Sequence, residues 1–246
     1  MPLSREDMNS LKKMCQIAPS LSAKKNAFIP AFLTLLIALL PPLPASAGPP
    51  PIDELMAKIQ ESYQKTEDIR ALFVQEVAVK SLKKTDREEG IFYFKKPRMM
   101  RWDYTLPKPK MLIVNEKELW LYVVEDGVAY VQDAKESLKS RTIIRFLSGL
   151  GKISDDFHVQ YADPPPSAMG DNIFLTLTPK RKEPGIEKLR LTIDRSDLHI
   201  KECRFSDLFG NTTRLAFVNV EINGGLSSKL FTFTPPAGVE IVRMPK

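Results

Sequence analysis

The chain has 246 residues, with 36 Lys/Arg against 30 Asp/Glu for a net charge of +6, two histidines and two cysteines. The positive charge is not gathered on a surface interleaved with aromatics, so there is no nucleic-acid footprint. His158 and His199 fall in different strand-like segments without a carboxylate at ligand spacing, so no zinc or other metal site is expected.

Lys24 and Lys25 precede an apolar run, Ala27–Leu40, followed by prolines and Ala45-Ser46-Ala47. A basic flank, a short apolar stretch and small residues at a cut site describe a secretory signal, with cleavage expected after Ala47. The run of 14 residues is shorter than the ~20 needed to span hydrocarbon. Residues 1–47 would remove five basic and two acidic residues, leaving 199 residues with 31 basic and 28 acidic. Residues 48–246 then read as one domain. Cys15 leaves with the leader, and Cys203 alone forms neither an internal disulfide nor a cysteine-based zinc site; it reads as a packed, inert thiol. No cysteine directly follows the apolar run, so the mature chain is not expected to carry a lipid anchor.

Ile52, Leu55, Met56, Ile59 and Tyr63 recur at helical spacing, predicting an amphipathic helix that ends near Thr66. Strand patterns follow at Ile69–Lys80, Glu89–Phe94, Met99–Thr105, Lys110–Asn115, Glu118–Val124 and Val128–Gln132, separated by turn signals such as Lys96-Pro97 and Glu125-Asp126-Gly127. Between Lys135 and Leu150 the period changes, and Leu138, Ile143, Phe146, Leu147 and Leu150 fit a helical stripe. Strands resume at Phe157–Ala162, Asn172–Thr178, Lys188–Asp194, His199–Ser206, Thr212–Glu221 and Leu230–Thr234, with Asp207–Asn211 as a hairpin connection. About eleven antiparallel strands with two helical segments make a sandwich or a barrel.

No nucleophile–base set is present. There is no G-x-S-x-G elbow, no phosphate-cradling loop before a helix, and the pairs Glu88-Glu89 and Asp155-Asp156 point apart or sit in turns. No enzyme activity and no cofactor are therefore expected.

The most informative stretch runs from Gly90 to Tyr104. Side chains alternate across a strand, so Met100, Trp102 and Tyr104 share one face and Met99, Arg101 and Asp103 the other. Phe92 and Phe94 share a face of the preceding strand, as do Phe73, Gln75 and Val77 of the first. A face of Met and aromatic residues is either ordinary core or the lining of a cavity for flexible hydrocarbon.

Several segments, in order, carry a family likeness. They are Phe73-Val74-Gln75; Gly90 with Lys96-Pro97 and Arg101-Trp102-Asp103-Tyr104, then Pro107; Ile113-Val114-Asn115 and Leu119-Trp120-Leu121-Tyr122; Asp207-Leu208-Phe209-Gly210-Asn211; Phe217–Asn223; and Phe231-Thr232-Phe233-Thr234-Pro235-Pro236-Ala237-Gly238-Val239. From about Ile52 to Val242 the chain resembles the LolA family of periplasmic outer-membrane lipoprotein carriers.

The resemblance implies an unclosed, half β-barrel whose apolar concave side faces a helical lid and shelters acyl chains. It implies a periplasmic monomer that takes acylated lipoproteins from a releasing ABC transporter in the inner membrane and delivers them to an outer-membrane acceptor. The expected lining is Phe73, Val77, Phe92, Phe94, Met100, Trp102 and Tyr104, with Ile143, Phe146 and Leu147 on the lid side. Lys96, beside Pro97, aligns with the basic residue that tethers the lid through backbone carbonyls, often arginine in relatives. Met100 aligns with an apolar position used in loading and partner contact, so Met100→Glu is expected to block loading while the fold survives. A sensor or structural module of the same fold, or a carrier of another envelope lipid, are the alternatives.

Overall fold

The computed structural model describes residues 49–134, 152–164, 170–181 and 186–244. The expected signal segment and the helical stripe Lys135–Leu150, with Ile143, Phe146 and Leu147, lie outside the described residues.

A 14-residue helix, α1 (Ile52–Lys65), opens the domain. Asp53 and Glu54 in its first turn and Lys65 in its last complement the helix dipole. Leu55, Met56, Ile59 and Tyr63 form its buried stripe. Burying such side chains contributes about 1.5–3 kcal/mol each, so packing rather than intrinsic propensity holds this helix.

Among the described residues twelve strands follow: β1 (Asp68–Val79), β2 (Lys84–Lys95), β3 (Met99–Leu106), β4 (Lys110–Val114), β5 (Glu118–Val123), β6 (Val128–Asp133), β7 (Phe157–Tyr161), β8 (Asn172–Pro179), β9 (Lys188–Asp194), β10 (Ile200–Ser206), β11 (Thr212–Ile222) and β12 (Glu240–Arg243). A four-residue helix, α2 (Ile153–Asp156), precedes β7. All twelve strands form one sheet in the order β12-β6-β5-β4-β3-β2-β1-β11-β10-β9-β8-β7. Its two ends, β12 and β7, do not pair, so the sheet is open, as expected. β1 lies inside, flanked by β2 and β11, and joins the two runs of hairpins.

Three details differ from the expectation. β2 begins at Lys84, not near Glu89, because its polar half is paired throughout with β1. Arg87 bridges Glu76 and Glu89 there, so cross-strand charge replaces the apolar alternation that marks a strand. The segment Leu230–Thr234 is not a strand. Ser228–Phe231 forms a 3-10 turn, and the Arg101 Nη1 donates to the Leu230 carbonyl at 3.0 Å. The chain then passes Pro235-Pro236, which lack backbone donors, and returns as β12 beside β6. That pairing is parallel and is an exception to the antiparallel pattern.

The main core lies between α1 and the concave face, and a smaller cluster forms on the opposite face. In the latter, Phe233 and Val239 of the returning segment cover Ile113, Trp120, Tyr122, Ala129 and Val131. Phe233 stacks 5.3 Å from Trp120 and 5.6 Å from Tyr122. The C-terminal segment therefore covers β4–β6 on the face of the sheet opposite α1.

A candidate lipid-binding face under helix α1

Strand register assembles the concave floor in rows. Ile69 of β1 stands opposite Phe94 of β2, which stands opposite Met100 of β3 and then Val114 of β4. The next row is Ala71, Phe92, Trp102 and Leu112, and the third is Phe217, Phe73, Gly90, Tyr104 and Lys110. Six of the sequence-predicted lining residues, Phe73, Phe92, Phe94, Met100, Trp102 and Tyr104, come together in one cluster with the stripe of α1. Val77 does not join it; it is half-buried farther along β1, opposite Thr213 and Asp86.

The floor is an aromatic mosaic. Phe73 meets Trp102 and Tyr104 edge-on, both at 5.0 Å. Phe92 lies 4.4 Å from Trp102 and 5.4 Å from Phe217. Gly90 makes this possible. A Cβ there would run into the Asp103 backbone carbonyl and stand 2.8 Å from the Phe73 ring. The Tyr104 hydroxyl donates to Gln75 Oε1 at 3.3 Å, and Lys110 Nζ stands 4.3 Å from the centre of its ring. Burial, then the nearby Glu88 charge, pushes the Tyr104 phenol up to about 12, so it stays a neutral hydrogen-bond donor.

Among the described residues much of the floor is tightly packed. Phe73, Phe94 and Met100 are 1%, 0% and 2% exposed. The crevice left among Tyr63, Ile69, Ala71, Phe92, Ile200, Phe217 and Val220 is about 20 Å³, room for roughly one water. A crevice of this size admits no acyl chain unless α1 or the side chains around it move. The same burial changes the expectation for Met100→Glu: a carboxylate at a 2% exposed position costs several kcal/mol unless it finds a partner, so this change tests folding before it tests loading.

Sequence reasoning missed Phe217 and Val220 as lining residues. Strict alternation puts them on opposite faces of β11. A bulge between Arg70 and Leu72 in the β1–β11 pairing, with Asn219 at φ 52°, turns both inward. Tyr63 and His199 were also missed, because their meeting joins distant parts of the chain.

Among the described residues helix α1 is fastened most densely at its C-terminal end. Lys96 Nζ donates to the Gln64 carbonyl at 2.6 Å and lies 3.3 Å from Glu67 Oε1. Asn223 Nδ2 donates to the Lys65 carbonyl at 3.2 Å, and its Oδ1 accepts from the Glu67 amide at 2.6 Å. Ser62 Oγ donates to the Asp197 carbonyl at 2.9 Å, Thr66 Oγ1 lies 2.9 Å from His199 Nε2, and the Tyr63 hydroxyl accepts from the Ile200 amide at 3.0 Å. Cations near a helix C-terminus are favoured, since its last carbonyls lack intrahelical partners; Lys96 supplies one from the β2–β3 turn.

The profile described as outer membrane lipoprotein carrier protein LolA matches residues 64–234. An outer-membrane lipoprotein carrier protein of Nitrosomonas europaea is 29% identical over 86% of this chain and 96% of its own length. A protein of the same description from Dechloromonas aromatica is 30% identical over 83% and 92%. Among solved structures, an uncharacterized conserved protein of Thermus thermophilus superposes with a TM-score of 0.52 at 14% identity, over 78% of this chain and 99% of its own, a likeness of fold. The profile spans well over half of the chain and the relatives are matched over nearly their whole length, so this chain belongs to the LolA family.

Proposed function

We propose that this protein is a non-enzymatic periplasmic carrier that shelters the acyl chains of lipoproteins between its concave sheet and α1. In this reading it receives cargo released by an inner-membrane ABC transporter and yields it to an outer-membrane acceptor. The observation that carries the reading is the concave aromatic and methionine face packed under the amphipathic helix α1.

Each methylene withdrawn from water contributes about 0.8 kcal/mol, so acyl chains do not cross an aqueous compartment unassisted. A carrier must offer comparable burial without sequence-specific contacts, which Met and aromatic side chains supply by adapting their shape. In the closed arrangement the lining residues occupy their own cavity. Cargo entry therefore competes with the core contacts of α1, and apparent affinity falls by the fraction of molecules that are closed. That competition allows release without an energy source in the carrier itself.

Phe73, Phe92, Trp102, Tyr104 and Phe217 are the proposed lining, and Lys96 the proposed fastening of the roof. The test is extraction of a triacylated lipoprotein from membranes that contain the releasing transporter and ATP. A soluble one-to-one complex supports the proposal. A protein that stays empty of lipoprotein yet purifies with a different lipid overturns the cargo, and one that binds no lipid overturns the carrier reading.

A further inference from the structure

We propose that the end of the sheet farthest from the α1 fastening, where the β1–β2 and β10–β11 connections meet, docks the protein on an anionic lipid bilayer. This surface is separate from the concave face and does not depend on what that face carries. From Asp68 to Val79, β1 has twelve residues, so at about 3.3 Å per residue the two ends of the strand stand ~35 Å apart.

The two connections form one tip. The Lys80 amide donates to Asn211 Oδ1 at 3.0 Å, and the Lys80 side chain passes so close to Gly210 that a Cβ there would lie 3.0 Å from its Cδ. Three large apolar side chains stand out from this tip: Leu82 is 70% exposed, Leu208 74% and Phe209 83%. Among the described residues no other large apolar side chain is as exposed as Leu208 or Phe209.

Their exposure is built into the turn. The Asp207 amide donates to the Asn211 carbonyl and the Gly210 amide to the Asp207 carbonyl, both at 3.0 Å. The Asp207 carboxylate accepts from the Phe209 and Asn211 amides at 2.9 Å and from Asn211 Nδ2 at 2.8 Å. Gly210, at φ 78°, takes the left-handed conformation that closes the turn. A turn held this firmly does not fold its apolar side chains back onto the sheet.

Charge and area indicate the occupant. Leu82 sits within Lys80-Ser81-Leu82-Lys83-Lys84, and all three lysines are exposed. Lys188 lies opposite Ser206 at the same end of the sheet. The acidic groups nearby are Asp86, paired with Lys84 at 2.6 Å, Asp207, whose carboxylate points into its own turn, and Glu187. Among the described residues Lys80 and Lys83 have no ion-pair partner, so their charge is free for an anionic surface. Apolar side chains ringed by long lysines match a headgroup boundary: the rings and leucines enter the acyl margin while the ammonium groups stay at phosphate level. Three side chains of at most ~150–250 Å² each fall short of the about 800 Å² that each partner contributes to a stable protein interface, which favours a bilayer over a protein.

The experiment places an indole at the tip by Phe209→Trp in the full chain and adds vesicles with brominated acyl chains, either phosphatidylglycerol mixed with phosphatidylcholine or phosphatidylcholine alone. Wild type, with Trp102 and Trp120, supplies the background, and the apolar run near the N-terminus is common to both proteins. The proposal expects indole quenching above that background with the anionic vesicles, weakened by salt. It also expects Leu82→Ser/Leu208→Ser/Phe209→Ser to lower partitioning about tenfold with an unchanged denaturation midpoint. An indole at 209 that is not quenched by anionic vesicles overturns the proposal. So does one that responds only when the membrane contains other envelope proteins, which would make the tip a protein contact.

Discussion

Lys96 Nζ and the Gln64 carbonyl oxygen, 32 positions apart in the chain, are 2.6 Å apart in space, tying the β2–β3 turn to the last turn of α1. The Lys96 side chain is 22% exposed, and a hydrogen bond to a charged donor contributes about 1.5–3 kcal/mol when well shielded. Lys96→Ala is therefore expected to cost on the order of 1 kcal/mol and to speed hydrogen exchange in α1, measured by urea denaturation and mass-resolved exchange of residues 52–65. Lys96→Arg should retain the contact. Unchanged exchange in the alanine variant would remove Lys96 as a fastening.

Gly90 tests the floor without touching α1. Adding one methyl group by Gly90→Ala drives a carbon into the Asp103 carbonyl and the Phe73 ring. Overpacking of this kind costs about 1–3 kcal/mol, and the backbone side of the clash cannot turn away. A chemical-denaturation midpoint equal to wild type would contradict the close approach of β2 and β3 described above.

Cys203 should be inert. It is 6% exposed, and burial, with a smaller contribution from the Glu202 charge, pushes its thiol up to about 12, so little thiolate forms at neutral pH. Peptide mass mapping after iodoacetamide treatment should find Cys203 unmodified in the folded protein and modified in denaturant. Fast alkylation of the native protein would show that the β9–β11 part of the sheet opens.

Asp194 gives the β9–β10 turn an acid limit. Hydrogen bonds from the Ser196 hydroxyl and amide, then from Lys201, hold its carboxyl down at about 2 against an ordinary 3.8. A group whose folded pKa is depressed contributes stability above the unfolded value and loses it as pH falls through the folded one. The stability gap between wild type and Asp194→Asn should be full above about pH 4 and close as pH approaches 2, followed by thermal melts across that range. A gap independent of pH would contradict the assignment.

The sequence showed the concave face through local pattern: alternation at Met99–Thr105 places Met100, Trp102 and Tyr104 together, and the structure keeps them together. The helix stripe from Leu55 to Tyr63 was legible for the same reason. What was hidden depends on contacts between distant residues. The Leu230–Thr234 segment has the composition of a strand, but Arg101 captures its Leu230 carbonyl from 129 positions away. Val220 faces inward only because of a bulge that is set by pairing with β1. The extension of β2 to Lys84 rests on charge pairs with Glu76 that have no apolar signature. The filled state of the lining, with Met100 at 2% exposure, is likewise a property of three-dimensional packing.

The place of β1 inside the sheet has a consequence for biogenesis. Its partner on one side, β2, ends at Lys95, but its partner on the other, β11, does not begin until Thr212. While the chain is made from its N-terminus, the hairpins from β1 to β6 can form early, yet the free edge of β1 and the rings of Phe73 and Phe92 wait for more than a hundred further residues. Long-range pairing of this kind slows folding, and an unpaired edge beside exposed aromatics invites association with other chains. The interval before β11 arrives is when the edge of β1 is most open to pairing with another chain.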